Sequence, residues 1–303
     1  MNRSGAAAVI GLGSMGRGAA HSLLRAGIET HAFDLRREAL TDFAAAGGRA
    51  HETAAAAVTG VEVVFLFVVN SDQADDVLFG AGGAVAAARP GTVFAISVTQ
   101  DPARTEDQAR RLAAAGMLCL DAPVSGGSAK AMSGEMTVMA SGSAQAFDRA
   151  ATPLAAIAGR VFRLGERPGA ASKMKMINQL LAGVHIAATA EAMVLAAAAG
   201  LDLDEVIAVI RDSAGMSWMF ENRGPHIAKG DYTPHSAVDI FVKDLGIVTS
   251  AAEGLGASVP LSTRALELFS EASARGLGRE DDAAVAKILA GRAGVRLPGM
   301  AEG

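Results

Sequence analysis

The chain has 303 residues, 50% of them hydrophobic, which is enough for about two domains with large apolar cores. Its 27 Lys and Arg residues are outnumbered by 32 Asp and Glu residues, so the net charge is −5, the wrong sign for a protein that binds nucleic-acid phosphates. A single cysteine, Cys119, excludes an internal disulfide and a cysteine-built zinc site. It suits a reducing compartment, and we expect a cytoplasmic protein.

The first part of the chain alternates short apolar segments with longer helical ones. Strands are predicted at 6–10, 30–33, 61–69, 92–96, 117–120, 136–140 and 160–164, and helices at 14–26 and 101–115. The segment 61–69 is apolar on both faces, as a buried parallel strand should be. This alternation is typical of βαβ units with helices on both faces of a parallel sheet. We therefore predict an α/β, doubly wound domain over residues 1–166.

After Pro168 the pattern becomes entirely helical. Residues 171–199 contain no proline and one glycine, Gly183, which predicts a single helix of nearly 30 residues. Further helices are predicted at 203–214, 236–255, 261–275 and 283–291. The second domain, 167–303, is thus predicted to be all-helical. Because its Ala-rich helix lets other helices approach closely, we expect it to join subunits into a homodimer or homotetramer.

No membrane helix is predicted. The longest strictly apolar run outside the alanine tracts is Val63–Val69, far below the ~20 residues that span a bilayer. A metal site is not expected either, because the six histidines show no ligand spacing.

A glycine motif lies between the first predicted strand and the first predicted helix. Gly11 allows a tight turn, Gly13 lets the backbone approach a pyrophosphate, and Gly16 lets the helix lie close to the strand. The N–H groups at the helix start face the anion. An ordinary glycine turn in an unrelated α/β domain is the alternative. The predicted loop of a Rossmann-type, dinucleotide-binding domain comprises Gly11, Leu12, Gly13, Ser14, Met15 and Gly16.

Asp34 ends the second predicted strand 23 residues after Gly11, close to the interval of about 20 at which a carboxylate binds the ribose of a dinucleotide. A carboxylate accepts hydrogen bonds from both ribose hydroxyls and repels a 2′-phosphate, so NAD is the expected cofactor. Arg36 and Arg37 could accommodate the phosphate of NADP, and they leave the strictness of this preference open.

Three further segments have the composition of a site: DAPVSGG (121–127), KMKMINQ (173–179) and DIFVKDL (239–245). The first offers a hydroxyl and paired glycines whose N–H groups can face an anion. In the second, Lys175 and Gln179 share a helix face with Asn178 beside them. The third places a Lys-Asp pair among apolar residues. Each segment taken singly also has an ordinary structural explanation. The first could be a simple turn, the second could carry a solvent-facing lysine, and the third could be a surface ion pair.

Together and in chain order, these segments resemble the β-hydroxyacid dehydrogenase family, which includes 3-hydroxyisobutyrate dehydrogenase and tartronate semialdehyde reductase. The resemblance covers almost the whole chain. The stretches QLLAGVHIAA (179–188), SWMFENR (217–223) and GDYTPHSAVDIFVKDLG (230–246) are most similar to the L-threonate dehydrogenases of that family. Gln179, Ala171 and Val98 depart from the asparagine, glycine and serine common in other members.

The resemblance implies NAD-dependent oxidation of a hydroxyl of a small sugar acid, L-threonate to 2-dehydro-L-erythronate, with Lys175 as the general base. Burial would have to lower the pKa of this lysine from ~10.4 toward ~7 or 8. The implied substrate contacts are Ser125, Gly126, Gly127, Asn178 and Gln179. The implied cofactor contacts beyond the glycine loop and Asp34 are Val69, Asn70, Thr99 and Lys243.

Other functions stay open at this point. The same residues would support a 3-hydroxyisobutyrate dehydrogenase or a reductase of tartronate or succinate semialdehyde. A nucleotide-binding sensor on a retired dehydrogenase fold is the non-enzymatic alternative, and the joint presence of Lys175, Ser125 and Lys243 argues against it.

Overall fold

The structure, a computed structural model, describes residues 5–300. Contacts divide the chain into two compact units, Met1–Lys175 and Met176–Gly303. The first unit holds the sheet, and the regular elements described in the second unit are helices.

Within the described residues, the first unit contains one mostly parallel sheet of nine strands. The strands are β1 Ala7–Ile10, β2 Thr30–Phe33, β3 Arg49–Ala50, β4 Val63–Leu66, β5 Val93–Ile96, β6 Leu118–Asp121, β7 Val124–Ser125, β8 Met136–Gly142 and β9 Ala158–Arg163. Their order is β3-β2-β1-β4-β5-β6-β8-β7, with β9 paired to β8. Strands β1 to β6 are parallel, whereas β8 runs antiparallel to β6 and β7. The order reverses between β1 and β4, and ligands of open α/β sheets bind at such a reversal.

Helices cover both faces of this sheet. They are α1 Ser14–Arg25, α2 Arg37–Ala45, α3 Ala54–Val58, α4 Ser71–Phe79, α5 Ala84–Ala87, α6 Pro102–Ala114, α7 Gly127–Ser133 and α8 Ala144–Ile157. Val63 and Phe65 of β4 belong to one buried cluster, and Val64 and Leu66 belong to another. Successive residues of a strand point to opposite faces, so this central strand is apolar at every position.

The second unit packs its helices around an apolar core that includes Ile186, Met193, Phe241 and Phe269. The helices beyond α8 are α9 Ala170–Ala198, which begins in the first unit, α10 Leu203–Arg211, α11 Trp218–Lys229, α12 Val238–Gly254, α13 Pro260–Ala272 and α14 Val285–Ala293. At Gly183 of α9, an added Cβ would lie 2.9 Å from a methyl carbon of Leu245. The single glycine of this long helix therefore lets α12 approach it closely.

Most predicted elements are present. Each of the seven predicted strands is found, and the largest difference is in β4, which spans Val63–Leu66 rather than 61–69. Beyond Leu66 the chain leaves the sheet, and Val69 is 55% exposed. The long helix matches its predicted range to within a residue at each end.

Among the described helices, α9 is long and apolar enough to cross a membrane by length and composition alone, although no strictly apolar run in it approaches about 20 residues. Asn178, Gln179 and His185 interrupt any such run. Within the protein, 44% of its most apolar window is buried. A buried core helix of a globular protein passes the same test, so the finding by itself does not indicate a membrane protein.

Candidate active site

The glycine loop joins β1 to α1, and its three glycines meet three different spatial demands. Gly11 has a φ of 91°. A Cβ at Gly16 would collide with the carbonyl oxygen of Gly11, whereas a Cβ at Gly13 would meet nothing within 4 Å. Gly13 therefore faces open space directly before the first turn of a twelve-residue helix. An anion can approach the free N–H groups there, which fits the pyrophosphate of a dinucleotide.

Asp34 follows β2 and bonds back to the glycine loop. Its Oδ2 accepts a hydrogen bond from the backbone N–H of Leu12 at 2.6 Å, and its Oδ1 accepts one from the backbone N–H of Arg36 at 2.8 Å. Although burial opposes the shift, hydrogen bonds from Arg36 and Leu12 lower the pKa of Asp34. The group is thus an ionised acceptor beside the loop.

The other cofactor residues predicted in the first unit follow the carboxyl ends of neighbouring strands. Val69 and Asn70 come after β4, and Thr99 comes after β5. These strands are parallel to β1, so the three residues lie at the same edge of the sheet as the glycine loop. The Asn70 Oδ1 accepts from the N–H of Gln73 at 2.9 Å and so caps α4. The side chain of Asn70 thus has a structural partner already.

The predicted carboxylate-binding loop has the backbone that paired glycines allow. Gly126 and Gly127 have φ values of 125° and 73°, and α7 begins at Gly127. Helix α7 packs against α1: the Oγ of Ser22 donates to the carbonyl of Ala131 at 3.1 Å. A Cβ at Gly18 would lie only 2.5 Å from the carbonyl carbon of Ala131. The loop at 125–127 is therefore fixed relative to the helix that follows the cofactor loop.

Asp121 has a role that the sequence analysis missed. This last residue of β6 is 1% exposed and accepts hydrogen bonds from Gly169 N at 2.8 Å and from Ser172 N and Oγ at 2.9 and 2.8 Å. Ser141 Oγ donates to it at 3.2 Å. Burial raises the pKa of Asp121, and these hydrogen bonds act in the opposite direction. Its carboxyl thus binds free N–H groups at the start of α9.

The first turns of α9 carry two lysines with different environments. Lys173 is exposed and its Nζ lies 2.8 Å from Oε1 of Glu106. Lys175, two residues further, is only 7% exposed. Gln179, one turn beyond, is likewise 7% exposed. The predicted separation of Lys173 from the face shared by Lys175 and Gln179 is confirmed.

In the second unit, a buried carboxylate links the predicted residues of α9 and α12. Asp244 is 2% exposed. Its Oδ1 accepts from Lys243 Nζ at 2.6 Å, and its Oδ2 accepts from the amide of Gln179. Asn178 Nδ2 donates to Gln179 Oε1 at 2.9 Å. The amide of Gln179 is therefore oriented, with its NH2 group toward Asp244. The motif FVKDL supplied the signal for this link, but spacing alone could not pair Asp244 with Gln179.

Two aromatic residues of the segment 217–223 have different environments: Phe220 is buried in the helical core, whereas Trp218 is 48% exposed. It is the first residue of α11, where the helix start leaves its side chain partly outside the core. Residues 5–300 contain no cluster of three or more His, Cys, Asp or Glu side chains able to hold a metal ion.

Comparison with known proteins agrees with this arrangement. Residues 6–165 match the profile of the NAD-binding domain of 6-phosphogluconate dehydrogenase, and residues 169–289 match that of the NAD-binding region of NADP-dependent 3-hydroxyisobutyrate dehydrogenase. The L-threonate dehydrogenase of Cupriavidus necator is 57% identical over 97% of this chain and 98% of its own. The chain belongs to the 3-hydroxyisobutyrate dehydrogenase family.

Other members of this family support the same conclusion. The L-threonate dehydrogenase of Escherichia coli is 50% identical over 96% of both chains. The crystal structure of 3-hydroxyisobutyrate dehydrogenase from Salmonella typhimurium has a TM-score of 0.89 and 49% identity, covering 93% of this chain and 99% of its own. The predictions of a Rossmann-type domain followed by a helical domain, of an NAD-dependent oxidoreductase acting on a CH–OH group and of the family itself are confirmed.

Proposed function

We propose that this dehydrogenase oxidises L-threonate to 2-dehydro-L-erythronate with NAD. Five relatives named L-threonate dehydrogenase, 48 to 57% identical to the chain over nearly its full length, support this substrate. A sugar acid offers a carboxylate and several hydroxyls, and the paired glycines and the oriented amide described above are suited to these groups.

Lys175 is the proposed general base. Oxidation of a secondary alcohol requires that the hydroxyl proton leave as the C–H hydride departs, and NAD supplies the hydride acceptor. An amine that takes this proton must be neutral before the reaction, and a lysine with 7% exposure is far less solvated than a surface lysine. In the reverse direction, the ammonium group would polarise the carbonyl and return the proton. The burial of Lys175 is the observation on which this assignment rests.

Other residues are proposed to hold the substrate and the cofactor. The hydroxyl of Ser125 and the N–H groups of Gly126 and Gly127 would bind the carboxylate, which fixes the hydroxyl that faces the nicotinamide. Asn178 and Gln179 would bind a second hydroxyl. The proposed cofactor contacts are the glycine loop (Gly11, Leu12, Gly13, Ser14, Met15, Gly16), Asp34, Val69, Asn70, Thr99 and Lys243.

The proposal extends to the organisation of the protein. We assign NAD binding to a domain of residues 1–166, and substrate binding and subunit contacts to a domain of residues 167–303. A homodimer or homotetramer is proposed, because one face of α9 carries exposed apolar side chains in the second unit, among them Leu181 and Leu195 at 49% and 69% exposure. A cytoplasmic location is proposed on a different ground, the single cysteine, which suits a reducing compartment.

The substrate is tested by NADH formation with L-threonate, D-threonate, D- and L-erythronate, glycerate and 3-hydroxyisobutyrate, each with NAD and with NADP. The solved relative named 3-hydroxyisobutyrate dehydrogenase, at 49% identity, makes that compound the second candidate. L-Threonate should have the highest kcat/KM. A higher value for 3-hydroxyisobutyrate would reject the proposed substrate while leaving the proposed base intact.

The base is tested by Lys175→Ala with Lys173→Ala as its matched control. Lys175→Ala should retain nearly normal NAD affinity and lose most turnover, because the amine acts on the substrate proton. Lys173→Ala removes the same charge from an exposed position and should retain turnover. Near-normal kcat in Lys175→Ala would reject the assignment.

A further inference from the structure

The carboxylate of Asp34 has a second partner that the proposed NAD site does not require. Arg36 Nε lies 3.0 Å from Oδ1, and Arg36 Nη2 lies 3.3 Å from Oδ2 and 2.9 Å from the carbonyl oxygen of Leu12. With the backbone N–H groups of Leu12 and Arg36, two donors point at each carboxylate oxygen. A carboxylate has about four acceptor positions, two on each oxygen. All four are taken.

This saturation affects the ribose of the cofactor. Asp34 is assigned to the ribose because a carboxylate accepts hydrogen bonds from its hydroxyls. The backbone donors of Leu12 and Arg36 are fixed by the chain, so the Arg36 side chain is the donor that a hydroxyl can displace. Its side chain is 62% exposed and is therefore free to swing outward. Each hydroxyl bond to Asp34 would replace one guanidinium bond, and its net contribution to affinity is reduced accordingly.

Arg36 also changes the local charge. Without it, the carboxylate would meet a 2′-phosphate with a full negative charge. With it, the ion pair is nearly neutral at short range, and a displaced guanidinium would stand beside the 2′ position as a phosphate partner.

The structure offers a place for the displaced guanidinium. A cavity of about 210 Å³ lies beside Arg36, and its lining includes Glu38 and Asp42. Arg17 and His21 line it as well, so it carries charges of both signs. Glu38 and Asp42 can receive the guanidinium when a ribose hydroxyl replaces it on Asp34.

We propose that Arg36 narrows the preference for NAD over NADP: its guanidinium competes with the adenosine ribose for Asp34 and attracts the 2′-phosphate. The inference rests on the assignment of Asp34 to the ribose. It does not depend on the substrate or on Lys175.

Calorimetric titration of the full-length protein with NAD and NADP tests this inference. Arg36→Ala should bind NAD about two- to fivefold more tightly, the range expected when one exposed charge pair is removed. It should bind NADP more weakly by a similar factor. The ratio of the two dissociation constants would then change by about tenfold. Titration with AMP and 2′,5′-ADP should give the same pattern for the adenosine half alone.

Two further variants separate charge from hydrogen bonding. Arg36→Lys keeps the charge but loses the planar fork, so NAD binding should tighten while NADP binding stays near that of the parent protein. Arg110→Ala is the matched control, because this arginine of α6 is likewise exposed and paired with a carboxylate, that of Asp107, but is not among the donors to Asp34. The ratio of its dissociation constants for NAD and NADP should equal that of the parent protein.

The variants distinguish a wrong role for Arg36 from a wrong assignment of Asp34 to the ribose. An unchanged ratio in Arg36→Ala, or weaker NAD binding, would overturn the inference. Asp34→Ala should weaken NAD binding and bring the ratio toward one. If Asp34→Ala leaves NAD binding unchanged, the assignment of Asp34 to the ribose is wrong as well.

Discussion

Asp121 shows how one buried carboxyl can hold the start of the helix that carries the proposed base. It binds the N–H groups of Gly169 and Ser172, which lie six and three residues before Lys175. A negative group at a helix N-terminus also interacts favourably with the helix dipole. We therefore regard Asp121 as a positioning residue that holds the first turn of α9.

Asp121→Asn should lower kcat without weakening NAD binding. The NH2 group of asparagine would face N–H donors, so the variant loses acceptors and should be about 1–3 kcal/mol less stable. Denaturant unfolding and steady-state kinetics measure the two effects. Asp101→Asn, which alters the N-cap of α6, is the control and should leave kcat unchanged. Unaltered stability and kcat in Asp121→Asn would contradict the positioning role.

Sequence reasoning identified the residue types of the candidate site better than their partners. The helical period placed Lys175 and Gln179 on one face because that relation is local. The bonds of Asp121 to the start of α9 join residues 48 and 51 positions apart, and that of Gln179 to Asp244 spans 65. Such pairs depend on tertiary packing, which a periodic pattern does not encode.

At the scale of elements, the helices that escaped prediction have a weak apolar period or a helix-breaking residue. In α2 only Phe43 is buried. Helix α11 contains Gly224 and Pro225, which usually end a helix. Tertiary contacts hold it instead: Arg223, 6% exposed, binds both carboxylate oxygens of the fully buried Asp282.

This buried pair should be sensitive to the loss of one partner. Arg223→Met would leave Asp282 buried without its cation and should lower the free energy of unfolding by about 3–5 kcal/mol. Arg223→Met combined with Asp282→Leu removes both charges and should recover most of that loss. Urea unfolding of the parent protein, the single variant and the double variant measures these free energies. A double variant no more stable than Arg223→Met would show that the charge left behind is not the cause.

Two histidines at the edge of the sheet should make the stability of the protein depend on pH. The rings of His31, in β2, and His51, just after β3, stack with centroids 4.9 Å apart. Burial, then His31 and Arg49, lower the pKa of His51 below 6.5. Glu29 also faces the pair, 3.2 Å from His31 Nε2.

Because the unfolded chain binds a proton on His51 more readily than the folded one, this group makes stability fall as the pH drops through the region just below 6.5. His51→Asn should flatten that part of the curve of unfolding midpoint against pH. An equally steep decline in the variant would assign the effect to other groups.

At the scale of the whole molecule, the fold class followed from the alternation of strands and helices, and the family from motifs spread over both halves of the chain. The glycine motif alone fits many α/β domains. The polar segments after β6, on α9 and on α12 restrict it to one family, because a dehydrogenase needs substrate and proton-transfer groups in addition to a dinucleotide loop. Subunit assembly is a different matter, since a monomer sequence shows which residues are apolar but not which of them remain exposed.

The exposed face of α9 provides the test of assembly. Ile177, Leu181, Ala188 and Leu195 fall within about 40° of one another around the helix axis, at 3.6 residues per turn, and all four are exposed. A stripe of this kind is typical of a contact with another chain.

Leu181→Glu and Leu195→Glu should each reduce the mass measured by light scattering toward that of a monomer of 30.6 kDa. Leu255→Glu places the same charge at a leucine that is 75% exposed and lies just after α12, and it should leave the mass unchanged. If the stripe variants keep the mass of the parent protein, or if the parent is itself a monomer, this face of α9 is not the subunit interface.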